Sequence, residues 1–451
     1  FTTTFQQNLA SLALAHKIQC PYHPRRCGCP HPANGYEQFK AMINVLLVNM
    51  PFVSVSRPAI GVSILKARLA QEGIECDVAY PNLMFAELVG METYHLIDEK
   101  INLTMFVGDW LFAQYLFGEN LDLDTYSNTL RHFLKDEEEF NKIHDLRGII
   151  GPFLQGCMDK LKIEEYGIVG FTTTFQQNLA SLALAHKIKT EYPDKTIVFG
   201  GANCEGIMGF ELHRGFPWID YICSGESDYT FPELVKAIGS GRSVKHIQGI
   251  VYRDWDSTIS TGPAQPIHDM DQIPVPDYDD YFQALGKSAL AGQISPDIPV
   301  ENSRGCWWGA RSQCTFCGLN GETMSFRSKS ASRVLGELRY LKERYKINAF
   351  TAVDNIMDMK YFKDLLPVLK NASLGISMFY EVKANLNKKQ VQLLSDAGVH
   401  AIQPGIESLN SHVLKLMRKG VTALQNVQLL KWCRQYGVNA AWNFLSRCST
   451  R

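Results

Sequence analysis

Residues 301–321, ENSRGCWWGARSQCTFCGLNG, contain three cysteines, Cys306, Cys314 and Cys317, in the spacing C-x7-C-x2-C. A short apolar stretch before them predicts a strand, and the glycine and polar residues between them indicate a loop. Three closely spaced thiolates can bind three irons of a 4Fe-4S cluster and leave the fourth iron open for a substrate ligand. The spacing therefore predicts an iron–sulfur cluster at this loop.

Two other interpretations of these cysteines are weaker. A structural zinc site usually has four Cys or His ligands in two pairs, and the sequence near Cys306 offers no fourth ligand. Unrelated buried cysteines are usually scattered among apolar core residues, whereas these three lie among Gly305, Gly309 and other loop residues. The iron–sulfur interpretation explains the spacing best.

The chain has 451 residues, of which 45% are hydrophobic and 20% charged, as is typical of a folded protein with two or three domains. Its formal net charge of -1 provides no basic field, so no nucleic-acid partner is expected. We find no signal sequence and no membrane-length apolar run, and we expect no membrane association. The twelve cysteines predict a location in the reducing cytoplasm, where thiols stay available for metal.

Residues 1–18, FTTTFQQNLASLALAHKI, recur without change at residues 171–188. Natural repeats diverge and recur at a fixed period, so one perfect copy indicates a joining artefact. The copy at 171–188 follows an apolar strand, and we take it as the working one. Residues 1–41 are therefore predicted to be a foreign or disordered leader, in which a weak metal-binding tract contains Cys20, His23, Cys27, Cys29 and His31.

From residue 42 the sequence predicts an α/β domain that extends to residue 240 and carries a helical insert over 81–165. Short apolar runs predict buried parallel strands, and the segments between them have a helical period. This pattern indicates a doubly wound, Rossmann-like domain. Its strands are expected at residues 43–48, 76–80, 167–171, 196–201 and 219–225.

Ligands of such a sheet lie outside the carboxyl ends of its strands, where glycine lets the backbone approach closely. No G-x-G-x-x-G motif follows the first strand, which argues against a nicotinamide cofactor. The loops at the strand ends still bring glycine and polar residues to one edge. We predict a cofactor site there that contains Gly61, Thr172, Gly200, Gly201, Ser224, Gly225 and Glu226.

Residues 241–295 are rich in Pro and Asp and predict a linker that contains a β-hairpin. Residues 296–451 then alternate strand and helix, and they predict five strands of a parallel barrel. The catalytic residues of such barrels lie at the carboxyl ends of the strands. The polar residues expected at those ends are Asp354, Asn355, Glu381, Lys383, Gln403, Glu407 and Ser408.

The cysteine motif, with Phe316 directly before the last cysteine, resembles the radical S-adenosylmethionine (SAM) superfamily. The segment GIESLNSHVLKLMRKG at 405–420 is similar to a segment of its cobalamin-binding branch. Together with GFTTTFQQN, VFGGANCEG and GDWLFAQYLFG, the cysteine stretch resembles the maturation enzymes often called ribosomal peptide maturation radical SAM protein 1. The resemblance covers about residues 42–445.

The resemblance implies a cobalamin-binding Rossmann-like domain, an incomplete radical SAM barrel of the (β/α)6 type, and three cofactors: a 4Fe-4S cluster, SAM and cobalamin. The three cysteines would bind the cluster, and Phe316 would lie at the cofactor site. One-electron cleavage of SAM would produce a radical, and methylcobalamin would deliver a methyl group to a carbon atom. The implied contacts to SAM are Asp354 and Asn355 for its amino group and Glu381, Lys383 and Glu407 for its ribose or carboxylate.

Two features depart from the pattern of this family. The D-x-H-x-x-G motif that supplies a histidine to cobalt in many cobalamin domains is missing after the first strand, so we expect cobalt to be bound without histidine. The chain also ends after the fifth barrel strand, whereas a complete barrel of this superfamily has six. We expect an exposed, aggregation-prone edge where the sixth strand would lie.

These observations predict an enzyme that C-methylates a ribosomally synthesised peptide during natural product maturation. Its partners would be the precursor peptide and an electron donor of the flavodoxin or ferredoxin type. Three alternatives stay open. The chain could be a radical cyclase or rearrangement enzyme with the same cofactors, an inactive cofactor-binding fragment, or a zinc-stabilised α/β binding protein.

Overall fold

The computed structural model describes residues 43–118, 124–318 and 323–445. Within these residues the chain forms two large sheets with helices between their strands. This arrangement confirms the predicted fold class, an α/β fold with parallel sheets. The predicted leader, residues 1–41, and its tract of cysteine and histidine lie outside the described residues.

The first sheet contains five parallel strands in the order β2-β1-β3-β4-β5. The strand order changes direction at β1, which has β2 on one side and β3 on the other. The connections after β1 and β3 therefore lead away in opposite directions, and a crevice opens between them at the carboxyl ends of the strands. The strands are β1 (Val45–Val48), β2 (Cys76–Ala79), β3 (Ile168–Thr172), β4 (Thr196–Gly200) and β5 (Tyr221–Cys223).

The insert between β2 and β3 is mainly helical, as its sequence period predicted. A π-helical turn at Leu96–Lys100 follows its second helix. Including the helix that joins β1 to β2, the helices are α1 (Ile60–Gln71), α2 (Pro81–Val89), α3 (Met91–His95), α4 (Val107–Phe117), α5 (Asp124–Leu134), α6 (Glu137–Asp145) and α7 (Ile150–Leu161).

The insert is fixed to the loop after β3 through the first turn of α4. The backbone N–H of Gly108 donates to Gln176 Oε1 at 2.7 Å. Asp109 Oδ1 accepts from the N–H of Leu179 at 3.0 Å, in the first turn of α8 (Asn178–Glu191). A Cβ at position 108 would lie 2.6 Å from the ring of Phe52. The sequence stretches GDWLFAQYLFG and GFTTTFQQN therefore contact each other.

The hairpin of the predicted linker belongs to the first sheet, which corrects the boundary expected at residue 241. After α9 (Ile207–Gly215) and α10 (Thr230–Gly239), strands β6 (Ile250–Asp254) and β7 (Ser257–Ser260) form this hairpin. Strand β6 pairs antiparallel with β5 and extends the sheet to seven strands. Hairpin patterns in sequence show that two strands pair, but not which third strand accepts them.

The second sheet has five parallel strands in the order β14-β13-β12-β11-β8, which confirms the predicted alternation of strand and helix. A separate ribbon pairs β9 with β10 antiparallel. In chain order the elements are α11 (Asp279–Lys287), β8 (Ile298–Val300), β9 (Ser303–Arg304), α12 (Trp307–Ser312), β10 (Arg327–Ser328), α13 (Ala331–Tyr345), β11 (Ala349–Ala352), α14 (Tyr361–Asp364), α15 (Leu366–Ala372), β12 (Ser377–Val382), α16 (Lys388–Asp396), β13 (Val399–Pro404), α17 (Ser411–Leu416), α18 (Ala423–Tyr436) and β14 (Asn439–Ala440).

Each sheet has its own apolar core, and a smaller cluster packs where the two regions meet. The side chain of Ile60 contacts both this small cluster and the core of the second sheet. Tyr281, on α11, donates its hydroxyl to the carbonyl of Val55 at 2.8 Å. The two sheets are thus held side by side. Among the described residues, no helix combines the length and apolarity that a membrane span needs.

Candidate functional site

The three cysteines lie on the loop that follows β9; all three are partly exposed, and none forms a disulfide with another described cysteine. The loop contains the short helix α12, which the sequence did not predict. Gly309 donates its N–H to Cys306 Sγ at 3.2 Å, and Cys317 donates its N–H to the carbonyl of Cys314 at 3.1 Å. Burial raises the pKa of Cys314, and the neighbouring thiols of Cys317 and Cys306 act in the same direction.

The start of this loop requires glycine at position 305. Gly305 has a φ of 79°, a left-handed conformation that side chains disfavour, and a Cβ there would overlap the carbonyl of Ser325. The next residue, Cys306, donates its N–H to the carbonyl of Met324 at 3.4 Å. The pairing of β9 with β10 thereby fixes the backbone at the first cysteine.

Two tryptophans and a threonine attach the loop to the rest of the second sheet region. Trp307 donates its indole N–H to the carbonyl of Met357 at 3.0 Å, and Trp308 donates to the carbonyl of Arg418 at 3.1 Å. Thr315 donates its N–H to the carbonyl of Met417, just after α17. The segment GIESLNSHVLKLMRKG therefore supports the cysteine loop from outside.

Two lysines lie beside the thiols. Lys383 Nζ is 3.6 Å from the centre of the Trp308 ring and donates to the carbonyl of Lys419. Lys419 Nζ lies 5.5 Å from the centre of the Phe316 ring. Burial raises the pKa of Cys314, while the charges of Lys419 and Lys383 oppose that shift. The two cations therefore favour the thiolate, which is the form that binds iron.

The charge of Lys383 is itself partly suppressed. Burial lowers its pKa to about 8, and the neighbouring charge of Lys419 acts in the same direction. Lys419 is also 3.3 Å from Glu407 Oε1, which balances part of this positive charge. Lys383 and Glu407, both predicted to contact SAM, thus lie near the cysteine loop.

Asp354 supports the backbone that leads into the cysteine loop. Its Oδ1 accepts the N–H groups of Asn302 at 2.7 Å and Ser303 at 3.1 Å. Burial nevertheless raises the pKa of this carboxyl to about 7. Its second oxygen is buried without a hydrogen-bond partner among the described residues. The structure shows a positioning role for Asp354, and its contact with SAM stays a prediction.

The remaining polar candidates lie along neighbouring strand ends. Glu381 is paired in register with Gln403 on the adjacent strand. Burial, together with the charge of Glu407, raises the pKa of Glu381 to about 7. Ser408 is buried, and its Oγ accepts the N–H of Asn410 at 3.1 Å, so this side chain shapes the turn after β13. Asn355, next to Asp354, is partly exposed.

A cavity of about 290 Å³ opens at the carboxyl edge of the first sheet. Its inner walls are largely apolar, with Leu47, Phe171 and Phe199 among them. One predicted residue, Ser224, does not line it, and its Oγ accepts the N–H of Gly206 at 2.7 Å. Six of the seven residues predicted at this edge do line the cavity, namely Gly61, Thr172, Gly200, Gly201, Gly225 and Glu226.

The glycines keep this cavity open. A Cβ at Gly61 would meet no protein atom within 4 Å, so a larger residue there would occupy free space. Gly201 has a φ of 94°, and a Cβ would lie 2.6 Å from the carbonyl of Thr173. Bare backbone and apolar walls of this kind fit the close approach of an organic cofactor.

The second sheet region closes one side of the cavity with charged residues. Glu301 and Arg304 both line it, together with Asp228 from the loop after β5. Arg304 donates to Asp228 through two nitrogen atoms at 2.9 and 3.1 Å, to Glu301 at 2.8 and 2.9 Å and to Glu226 at 3.1 Å. We call this group, with Arg327, the interdomain ion network.

Sequence reasoning missed this ion network. Glu226 was expected to contact a cofactor, but its Oε1 accepts from Arg327 at 2.7 Å, and its Oε2 accepts the N–H of Ile267 at 2.9 Å. Burial favours the neutral form of Glu226, yet the hydrogen bond from Arg327 holds its pKa below the ordinary value. The ion pairs between the loop after β5 and the two arginines join residues that are far apart in the chain. No motif in a single sequence indicates such pairs.

In the part of the chain that the structure describes, no three His, Cys, Asp or Glu side chains are arranged to hold a single metal ion.

Comparison with known proteins gives a family for the second region. Residues 300–446 match the model of the radical SAM superfamily. The chain is 29% identical over 286 residues to the uncharacterized methyltransferase PH0819 of Pyrococcus horikoshii, covering 62% of this chain and 60% of the relative. It is 22% identical to the hopanoid C-3 methylase of Methylococcus capsulatus, with coverages of 62% and 53%.

A third relative has a different activity in its name. The anaerobic magnesium-protoporphyrin IX monomethyl ester cyclase of Synechocystis is 23% identical over 263 residues, covering 56% of this chain and 50% of the relative. The chain therefore spans between half and three fifths of the length of these relatives.

Two solved structures share the fold. The cobalamin-dependent SAM radical enzyme OxsB, with aqua-cobalamin bound, superposes with a TM-score of 0.61 at 18% identity, covering 90% of this chain and 49% of that one. The radical SAM methyltransferase TsrM of Kitasatospora setae gives 0.58 at 16% identity, with coverages of 88% and 67%. Residues 300–446 thus match the radical SAM superfamily model, and the chain shares the fold of these two enzymes.

Proposed function

We propose that this chain belongs to an enzyme that methylates a carbon atom of a ribosomally synthesised peptide with a 4Fe-4S cluster, SAM and cobalamin. One observation carries the proposal. The cysteine loop and the glycine-lined cavity have a common boundary, formed by Glu301 and Arg304 just before Cys306. Two cofactor sites on neighbouring sheets are what a reaction between two cofactors requires.

The residues present fit these cofactors. Three partly exposed thiols on one loop, with lysines beside them, are a suitable ligand set for an iron–sulfur cluster. The cavity offers glycine backbone and apolar walls for part of cobalamin, and Glu301 and Arg304 from the second sheet region line one side of it. When bound, the three cofactors supply the electron, the radical and the methyl group.

The chain's own side chains would bind and orient. Cys306, Cys314 and Cys317 would hold the cluster, with Lys383 and Lys419 balancing the charge of the thiolates. Asp354 holds the backbone N–H groups of Asn302 and Ser303 and so keeps the first cysteine in place. The residues proposed to contact SAM are Asn355, Glu381, Lys383, Glu407 and Asp354.

The choice of a peptide as the substrate comes from the sequence. It rests on the resemblance of GFTTTFQQN, VFGGANCEG and GDWLFAQYLFG to peptide maturation enzymes. In the structure the first and third of these stretches join the insert to the first sheet. A precursor peptide and an electron donor of the flavodoxin or ferredoxin type are the partners that we propose.

A second candidate is a radical cyclase or rearrangement reaction with the same cofactors. The cyclase relative from Synechocystis favours it. The mass of the cognate peptide after reaction distinguishes the two. Methylation replaces one hydrogen atom by a methyl group and so adds the mass of one CH2 group, whereas a rearrangement adds none.

Anaerobic reconstitution with iron, sulfide and cobalamin tests the proposal. We expect about four irons per chain and bound cobalamin. Replacement of Cys306, Cys314 and Cys317 by alanine should abolish iron binding, whereas the control Cys76→Ala, a thiol in the first sheet, should not. Zinc without iron would contradict the proposal. Both cofactors bound without cleavage of added SAM would support the inactive-fragment alternative.

A further inference from the structure

We infer that Arg304 is a positioning residue that couples the occupancy of the glycine-lined cavity to the conformation of the cysteine loop. This inference rests on the proposed cofactors, since it concerns how their two sites communicate. Its basis is the geometry of the interdomain ion network, whose members all belong to this chain.

Arg304 has no free donor. A guanidinium group carries five N–H bonds, and Arg304 uses them in two bonds to Asp228, two to Glu301 and one to Glu226. Its side chain is 16% exposed, and that of Asp228 is 6% exposed. Charge-assisted bonds of this type are directional and shielded from water here, so the group cannot move without moving its partners.

The partners come from both sites. Glu226 and Asp228 belong to the loop after β5, which lines the cavity with Gly225 and Ser227. Arg304 ends β9, is separated from Cys306 only by Gly305, and pairs across the ribbon with Arg327. Arg327 in turn binds both oxygens of Glu226, at 2.7 and 3.1 Å. A displacement of the loop after β5 is therefore passed directly to the first cysteine.

Coupling between two sites is reciprocal, and typical couplings change an affinity about 5-fold to 150-fold. Filling the cavity must press on the carboxylates of Glu226 and Asp228 or draw them together, because they form part of its wall. The same shift then alters how well the cysteine loop holds its ligand. If the role of Arg304 were purely structural, its replacement would weaken binding at both sites. The ratio between the dissociation constants of cobalamin with and without the cluster would then stay unchanged.

The test measures the dissociation constant of aquacobalamin for the full chain before and after anaerobic reconstitution of the iron–sulfur cluster. In the wild type we expect the two constants to differ about tenfold. Arg304→Lys keeps the positive charge but loses the guanidinium group that donates to several carboxylates at once. For this variant the ratio of the two dissociation constants should be close to one. Arg344→Lys is the matched control, since Arg344 binds Asp279 through a similar fork away from the cavity. Its ratio should equal that of the wild type.

Three results would overturn the inference. A wild type that binds both cofactors with no difference between the constants would leave the proposed function intact and remove the coupling. An Arg304→Lys variant with the wild-type ratio would do the same. If Arg304→Lys fails to fold, Asp228→Asn replaces it, since asparagine has one acceptor oxygen and so removes one of the two bonds from Arg304 to this position while the bonds to Glu301 remain. A wild type that binds no cobalamin would reject the proposed function and the coupling together.

Discussion

Glu381 is a carboxyl group that burial keeps partly protonated near neutral pH. Its pKa is raised from 4.5 to about 7 by burial and by the charge of Glu407. Asp354 has a pKa near the same value, for the same main reason. Such shifts are common where charged groups are arranged to meet a ligand. They also make the stability of the protein depend on pH.

The variant Glu381→Gln should flatten the dependence of stability on pH. The folded state binds the proton of Glu381 more tightly than the unfolded state, so its contribution is complete below about pH 4.5 and is lost as the pH rises through about 7. One pKa unit equals about 1.4 kcal/mol, which sets about 3 kcal/mol as the largest change between pH 4 and pH 8. Urea unfolding at both pH values measures it, with the exposed Glu343→Gln as the control. The prediction would be contradicted if the free energy of unfolding changed by the same amount between pH 4 and pH 8 in the wild type and in Glu381→Gln.

The variant Lys383→Met should make the reconstituted cluster harder to reduce. Reduction adds negative charge close to the thiolates, and the cation of Lys383 lowers the cost of that charge. We expect a more negative reduction potential, measured by a redox titration followed spectroscopically. The exposed Lys388→Met is the matched control and should leave the potential unchanged. An unchanged potential in Lys383→Met would contradict this prediction.

The cysteine loop and the turn after α17 form a single supporting unit. Trp308 donates to the carbonyl of Arg418, and its ring occupies the space beside Gly420. The three cysteines were predictable because their chemistry fixes their spacing. The short helix α12 and the packing of Trp308 against Gly420 were not, because they depend on contacts between residues about a hundred positions apart.

The variant Gly420→Ala should weaken iron binding by displacing Trp308. Gly420 and Gly437 both have a left-handed φ, of 64° and 68°, so alanine strains the backbone at either position by about 1 kcal/mol. Only at 420 would the new Cβ overlap the Trp308 ring, since the space at 437 is empty. We expect both variants to lose a little thermal stability and Gly420→Ala alone to lose iron after reconstitution. Equal iron content in the two variants would disprove the link.

At the scale of the whole molecule, the two sheets are joined by the ion network and by a small apolar cluster around Ile60. The parallel order of each sheet followed from strands and helices that alternate along the chain. The hairpin strand β6 was assigned to a linker, because its composition suits a linker and its pairing with β5 is not visible in one sequence. The partners of Arg304 were hidden for the same reason. The sequence pattern thus predicted the strands and helices of each sheet region, but not the contacts between the two regions.

The variant Glu226→Gln should separate the unfolding of the two regions. Removing one partner of a buried ion pair leaves a buried charge unpaired and costs about 3–5 kcal/mol. In calorimetry we expect the wild type to unfold in one transition and Glu226→Gln to show a calorimetric enthalpy above its van't Hoff enthalpy. Glu72→Gln is the control, because Glu72 pairs with Lys236 within the first region. A single two-state transition in Glu226→Gln would contradict this prediction.

The crowded hydrogen bonding of Arg304 also restricts how this protein can be recombined with its relatives. A chimera that takes the first sheet from one protein and the cysteine loop from another would bring a buried guanidinium to a wall without its carboxylates. Exchanges are expected to fold only when the loop after β5 and the β9–β10 ribbon come from the same parent. These two short segments have to be exchanged together, although α10, the whole β6–β7 hairpin and α11 separate them along the chain.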